Sequence, residues 1–303
     1  YTAPTAIRSL MAFGLGPIQN KDLSSLRVLG TVGEPINEEA WHWYDEHIGK
    51  KKCPIVDTWW QTETGGIMIS NMAGITEGKP GWATYPMPGV KTILVDDKGD
   101  EINTMEDGLY RGNLCITQPW PATLRTTYGD HERCRTNYFA TYPGLYFTGD
   151  GALKDENGFY RITGRVDDVI NVAGHRLSTA EMEEIVSSHH SVAECAVIGI
   201  NDDLKGQVPL ALVVNKSGED IEHFQLQHEV VHLVRDQIGA VASLRDVVVV
   251  ERLPKTRSGK ILRKLLRSIA DGEEFQIPST IDDEAIVDEI IEVLTKYQIG
   301  CYK

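Results

Sequence analysis

Between about residue 80 and residue 166 the chain is written in short β-type segments separated by turns, and the text on either side is of a different kind. Residues 92–95, 114–117 and 159–163 are rich in β-branched and aromatic side chains, and the Asp-Glu-Asn-Gly run at 155–158 is a hairpin signal. Upstream, residues 3–13 place apolar side chains at helical spacing. Residues 28–32 then form a short apolar run ending at Gly33, the pattern of a buried strand followed by a loop. Downstream, Ser178 and Glu181 make a capping box, and Met182, Ile185 and Val186 begin a helix that leads to strand-like residues 193–200 and 210–214. Helical patterns recur near 224–238, 258–272 and 283–296, the last with Ile286, Ile290, Val293 and Leu294 on one face. The expected fold class is therefore α/β plus α+β: an α/β region, a small antiparallel or barrel-like β subdomain, and a compact α+β domain. A chain of 303 residues, 41% of them apolar, can bury two cores.

Charge and cysteine usage narrow the function classes. With 44 acidic against 30 basic side chains the formal net charge is −14, whereas nucleic acids and anionic membranes demand a basic face. Neither is an expected partner. The five cysteines, Cys53, Cys115, Cys134, Cys195 and Cys301, are scattered and form no CxxC pair, which suits a reducing, cytoplasmic setting. No run approaches the roughly 18 apolar residues of a membrane span. The chain starts at Tyr1 in what reads as the middle of a helix, without the charge or apolar block of a signal peptide, so it is expected to be cut from something longer.

Several segments carry chemistry. Residues 57–66 (DTWWQTETGG) follow a short β-like approach and gather two indoles, an amide, hydroxyls and a carboxylate. Neighbouring side chains of an extended chain face opposite ways, so Trp59 and Trp60 cannot both enter one core; one packs and the other can wall a pocket. A hydrophobic loop with a Gly-rich turn is the plainer alternative. Residues 31–37 (TVGEPIN) set a glycine, a carboxylate and a proline at the end of an apolar strand, where ligands sit in open α/β sheets, although any strand-to-helix turn can use Gly-Glu-Pro for geometry. Residues 146–150 (YFTGD) end a β-like run in an aspartate, which can accept both hydroxyls of a ribose and is also a common turn residue before glycine. Residues 164–177 (GRVDDVINVAGHRL) follow it closely. Residues 253–264 (LPKTRSGKILRK) concentrate basic side chains in an acidic chain. A solvated basic face or a nucleic-acid patch would have that composition, but Pro254, Ser258 and Gly259 make a loop with Lys260 at its tip. It is no P-loop, since no glycine lies five residues before Gly259 and Ile261 follows Lys260. His189, one turn beyond Val186 on the apolar side of its helix, reads as a packed histidine or as a ligand.

Taken together these segments resemble the adenylate-forming acyl-CoA synthetase (AMP-binding) superfamily, from Tyr1 to at least Arg267, with Trp-Trp-Gln-Thr-Glu in the form typical of acetyl-coenzyme A synthetases. The resemblance implies ATP-dependent activation of acetate to acetyl-AMP, transfer to coenzyme A, and ATP/AMP, Mg2+ and coenzyme A as cofactors. It implies that Gly33, Glu34 and Pro35 lie against adenine, that Asp57, Thr58, Trp59, Trp60, Gln61 and Thr62 line the nucleotide, and that Asp150 and Arg165 clamp the ribose. Arg176 would reach phosphate, and Trp60 with Val32 would close the acyl pocket. Lys260 would be catalytic, and Ala173, Gly174 and Arg235 would contact coenzyme A. Metal would be held by Glu63, and a second magnesium by the turn that offers the backbone carbonyls of Ser187 and Val192 together with His189. Asp167 would be the hinge between the end of a large AMP-binding domain at 1–166, including the β-rich subdomain, and a small mobile domain at 167–303. The superfamily's Ser/Thr/Gly-rich phosphate loop and the arginines for the adenine-end phosphate of coenzyme A do not occur in the chain, so the isolated polypeptide is expected to adenylate poorly. Acetylation of Lys260 would remove its charge, making a lysine acetyltransferase and deacetylase expected partners. A propionyl- or other short-chain acyl-CoA synthetase, and a non-catalytic nucleotide- or acyl-binding module, remain the alternatives.

Overall fold

The computed structural model describes residues 1–216, 221–257 and 259–303; Ser258, named in the basic loop, lies outside them. Helix α1 (Pro4–Ala12) takes up the helical spacing at the start of the chain. Contacts divide the molecule into two units, Tyr1–Ile7 with Leu15–Asp167, and Arg8–Gly14 with Asp168–Lys303.

In the first unit, β1 (Leu29–Thr31) and β2 (Ile55–Trp59) pair in parallel with Thr31 opposite Asp57. Parallel partners need a crossover, and it contains α2 (Glu38–Trp43), whose first turn is closed by the Asn37 side chain accepting from the Ala40 N–H. Strand β3 (Ile69–Ser70) adds antiparallel to β2. The β-rich segment forms a second sheet in the order β4 (Thr92–Val95), β5 (Leu109–Ile116), β6 (Tyr146–Asp155), β7 (Tyr160–Arg165), antiparallel throughout, with α3 (His131–Arg135) between β5 and β6. The sheet is an open meander, not a closed barrel: β4 and β7 stand at its two ends without pairing. The hairpin expected at 155–158 is present. The Asp155 carboxylate accepts from the Asn157 and Phe159 N–H groups, and Gly158 supplies the positive φ of the turn. Trp59, Ile69, Leu94, Leu114, Ile116, Trp120, Tyr146 and Ile162 belong to the buried core of this unit.

The YFTGD run does not end its strand at Asp150. Strand β6 continues to Asp155, because Gly149 in the left-handed region and register shifts on both flanking ladders let the strand bend at Asp150 without losing its partners.

The second unit opens with β8 (Ile170–Val172) and β9 (His175–Leu177), then α4 (Thr179–Ser187), capped by the Ser178 hydroxyl accepting from the Glu181 N–H. Strands β10 (Val192–Asp202) and β11 (Gly206–Asn215) form a long antiparallel hairpin, followed by α5 (His223–Gln237) and by β12 (Asp246–Val249) parallel to β11. Helices α6 (Arg263–Asp271) and α7 (Ile286–Tyr297) complete it. Alternate residues of the hairpin feed two cores. Ala196, Ile198, Leu210 and Leu212 pack with α6 and α7, while Cys195, Val197, Ala211 and Val213 pack with α4 and α5. Helices on both faces explain why these strands read as nearly continuous apolar runs. Helix α6 begins at Arg263 and not near 258, because Lys255 bridges Ile261 across a tight loop that takes the preceding residues out of the helix.

Candidate functional site

The carboxyl ends of β1 and β2 place Thr31 and Asp57 side by side, and the Thr31 hydroxyl donates to Asp57 at 2.7 Å. Asp57 is buried, and that burial pushes its carboxyl up to about 6 against the opposing hydrogen bonds from Thr31 and the Thr58 backbone. Thr58 donates to the Thr31 carbonyl at 2.8 Å and lies 2.6 Å from the Tyr1 phenol, which in turn accepts from the Trp60 indole at 3.3 Å.

Alternation at the end of β2, carried one residue past Trp59, separates the two indoles as their adjacency requires. Trp59 is 9% exposed and sits in the core, whereas Trp60 is 39% exposed. The buried indole turns its N–H toward Asp150 at 3.2 Å. Gln61 spans the gap between the two sheets: its amide nitrogen donates to Asp150 at 2.8 Å and to the Thr148 carbonyl at 2.6 Å, while its amide oxygen accepts from Tyr146 at 2.9 Å. Arg165, on the neighbouring strand, reaches Asp150 at 3.6 Å, the Thr148 carbonyl at 3.0 Å and Asp167 at 3.1 Å. Gly149 makes this possible, since a Cβ there would stand 2.5–2.8 Å from the Arg165 guanidinium atoms. Segments at 57–63, 146–150 and 165–167, far apart in sequence, thus meet in one hydrogen-bonded cradle.

Sequence reasoning missed the tyrosines that hold this cradle. Tyr138 and Tyr146 stack in parallel, centroids 5.7 Å apart and planes 7° apart; Tyr138 donates to Glu63 at 2.7 Å while Tyr146 holds Gln61. Burial, followed by the hydrogen bond to Glu63, pushes the Tyr138 phenol up to about 12, and burial raises that of Tyr146 further. Tyr138 lies 75 residues from its partner, and nothing local in the sequence marks it. Thr62 opens a short turn after Gln61 and is exposed. Gly33 has a φ of +96°, so the loop after β1 requires glycine; Glu34 accepts from the Thr5 N–H at 2.6 Å and from its hydroxyl, Val32 is half-buried, and Pro35 is exposed.

The remaining expected residues lie in the second unit. Ala173 and Gly174, with φ of +48° and +89°, form the two-residue turn of the β8–β9 hairpin, and Arg176 is exposed on β9. Arg235 is exposed near the end of α5. Lys260 is exposed, its N–H donating to the Thr256 hydroxyl at 3.1 Å and its carbonyl accepting from the Thr256 N–H at 2.8 Å.

The donor chemistry of the two metal sets differs. Glu63 offers a hard carboxylate with one oxygen engaged by Tyr138, which suits Mg2+, an ion usually held by one or two carboxylates together with phosphates. At the turn expected to hold a second ion, the His189 ring is engaged on both sides: Nδ1 accepts from the Ser191 N–H at 3.3 Å and Nε2 lies 2.8 Å from Glu229. The Ser187 hydroxyl contacts Cys195, and the His189 carbonyl accepts from the Val192 N–H. Among the described residues no group of three His, Cys, Asp or Glu side chains is placed to hold a metal.

The class is set by what the two units match: the chain belongs to the adenylate-forming, AMP-binding enzymes. Residues 1–124 match the AMP-binding enzyme family and residues 181–260 the AMP-binding enzyme C-terminal domain. Within that class it is similar to acetyl-coenzyme A synthetases, 53% identical to that of Aeromonas hydrophila over 96% of this chain and 44% of the relative, and 52% identical to that of Rubrobacter xylanophilus over 96% and 45%. An anthranilate CoA ligase solved with anthranoyl-AMP superposes with a TM-score of 0.76 at 30% identity, covering 88% of this chain and 49% of that one. The chain spans less than half the length of these acetyl-coenzyme A synthetases. Among the described residues no helix is long and apolar enough to cross a membrane.

Proposed function

We propose that this chain is the C-terminal part of an AMP-forming acetate–CoA ligase, in which residues 1–166 bind the nucleotide and residues 167–303 act as a small mobile domain turning at Asp167. The observation that carries the reading is the Asp150 cradle. It joins the Trp-Trp-Gln-Thr-Glu segment to Arg165 through direct hydrogen bonds and an ion pair, and in this reading the fixed carboxylate accepts from ribose hydroxyls. Gly33, Glu34 and Pro35 face adenine, while Asp57, Thr58 and Thr62 complete the nucleotide wall. Trp60, whose indole is exposed beside Tyr1, limits the acyl pocket together with Val32 and favours acetate over longer acids by steric exclusion.

Adenylation brings a carboxylate against a phosphate, so positive charge must grow in importance toward the transition state. Lys260 supplies it as an ammonium on an exposed loop, and Arg176 reaches phosphate. Glu63 would hold Mg2+, which when bound would supply positive charge to offset that of the departing pyrophosphate. Thiol attack needs the space that the lysine occupied, so the small domain turns and presents the Ala173–Gly174 hairpin, with Arg235 pairing with coenzyme A phosphate. Acetylation of Lys260 by an acetyltransferase, reversed by a deacetylase, blocks the first half-reaction alone. Isolated from any preceding phosphate loop, this chain adenylates poorly. The test is acetate-dependent ATP–pyrophosphate exchange by the full-length polypeptide: Lys260→Ala lowers it about 100- to 1,000-fold, and Trp60→Gly extends it to longer acids. Undiminished exchange by Lys260→Ala sinks the proposal.

A further inference from the structure

We propose that Glu183 and Glu194 are positioning residues for Lys260, anchoring the described stem of its loop, residues 255–257 and 260–263, to its own unit through two ion pairs that bracket the lysine; the inference rests on the adenylation role proposed for Lys260. On the near side, Lys255 Nζ lies 2.7 Å from Glu194 Oε2, with side-chain exposures of 26% and 15%. On the far side, Arg263 makes a two-pronged contact with Glu183, Nε to Oε1 at 2.8 Å and Nη2 to Oε2 at 2.7 Å. Glu183 Oε1 also accepts from the Val197 N–H at 2.8 Å, so α4, β10 and the start of α6 are tied at one carboxylate.

Between these feet the main chain is held as well. Lys255 bridges Ile261, the Thr256 N–H donates to the Lys260 carbonyl at 2.8 Å, and the Arg257 N–H donates to the Thr280 carbonyl at 3.0 Å. The Asp282 N–H donates to the Lys255 carbonyl at 2.9 Å, and Ile261 is buried in the core under α6 and α7. A partly buried ion pair is weak evidence for stability, because desolvation offsets most of the attraction. A forked guanidinium–carboxylate contact does fix orientation. Glu194 makes the same point, since its other oxygen is buried without a hydrogen-bond partner among the described residues, an arrangement that stability alone would not favour. The anchored stem therefore carries Lys260 with it, and delivery of the lysine follows motion of the unit to which the stem is tied.

Two measurements decide the matter. In the full-length polypeptide, Glu183→Gln and Glu194→Gln should each lower kcat for acetate-dependent adenylation about 10- to 100-fold, the cost of an ångström-scale misplacement. KM for ATP and thioester formation from preformed acetyl-AMP should stay within about twofold of the parent. The exchanged pair Glu183→Arg with Arg263→Glu should recover part of the lost rate. Unchanged adenylation, or equal loss of both half-reactions, overturns the proposal. Lys260→Ala separates the two ideas: if it has no effect the catalytic reading of the lysine fails, and if it lowers adenylation while the glutamine variants do not, the clamp fails. Amide hydrogen exchange of the unmodified protein supplies a reading that needs no variant to fold. Thr256, Arg257 and Asp282 should exchange slowly, and exchange as fast as in open loops refutes an anchored stem.

Discussion

The groups proposed for nucleotide binding and those proposed to do chemistry are built in opposite ways. In the first unit Trp59, Gln61, Tyr146 and Arg165 converge on Asp150 and Thr148, and most of the polar atoms are buried and matched. In the second unit Lys260, Arg176, Ala173 and Gly174 stand exposed on turns and a short strand. A cradle that receives its ligand benefits from preorganisation, since every donor fixed beforehand costs nothing at the moment of binding. A group that must arrive and leave gains nothing from burial at rest, and needs only a firm base.

Substitution should break the two regions differently. Lys260→Ala removes an exposed ammonium: adenylation falls about 100- to 1,000-fold, while urea unfolding shifts by no more than about 0.5 kcal/mol. Asp150→Ala leaves the Trp59 donor and one of the two Gln61 amide hydrogens unmatched, so calorimetry should register a loss on the order of 3 kcal/mol in stability together with loss of AMP binding. A large stability loss for the lysine variant, or none for the aspartate variant, would erase the contrast.

Asp57 sharpens the comparison through pH. Its folded value, about 6, lies above the ordinary 3.8, so the folded state binds the proton more tightly than the unfolded chain does. Its contribution is fully present below pH 4 and is lost as pH rises through 6. Relative to Asp57→Asn, the parent should therefore lose on the order of 2–3 kcal/mol between pH 4 and pH 7. Parallel urea midpoints across that window would show that the carboxylate is not desolvated.

Two backbone positions give smaller effects. Gly149→Ala forces a side chain into the left-handed region against Arg165, and should cost about 1–3 kcal/mol and weaken AMP binding in titration calorimetry. Ala173 already bears the strain of a positive φ at +48° on an open turn. Ala173→Gly should raise stability by less than about 1 kcal/mol, the balance between relieved strain and a freer unfolded chain.

Much of the second unit was legible because its apolar residues recur locally: the capping box at Ser178 and the strand runs around 193–200 and 210–214 correspond to α4, β10 and β11. Separation of Trp59 from Trp60 followed from strand geometry alone. What stayed hidden depends on distant partners. Tyr138 reads as an ordinary aromatic until it meets Glu63, and Glu229, 40 residues away, is what occupies His189. The late start of α6 was invisible for a related reason, since amphipathic spacing cannot reveal that a bridge from Lys255 has withdrawn the first turn. Strand β6 ran past Asp150 because bulges, which leave no periodic mark, absorb the bend.

The stacked tyrosines give the first unit a direction. Their phenols keep their protons well into alkaline solution, so Tyr146 is a permanent donor to Gln61, which can answer only with its carbonyl and must turn its NH2 toward Asp150. Hydrogen-bond polarity thus runs one way from ring to amide to carboxylate. Only a side chain with an acceptor at one end and a donor at the other can transmit it, and a glutamate at position 61 would set two anions face to face where the molecule now has a relay.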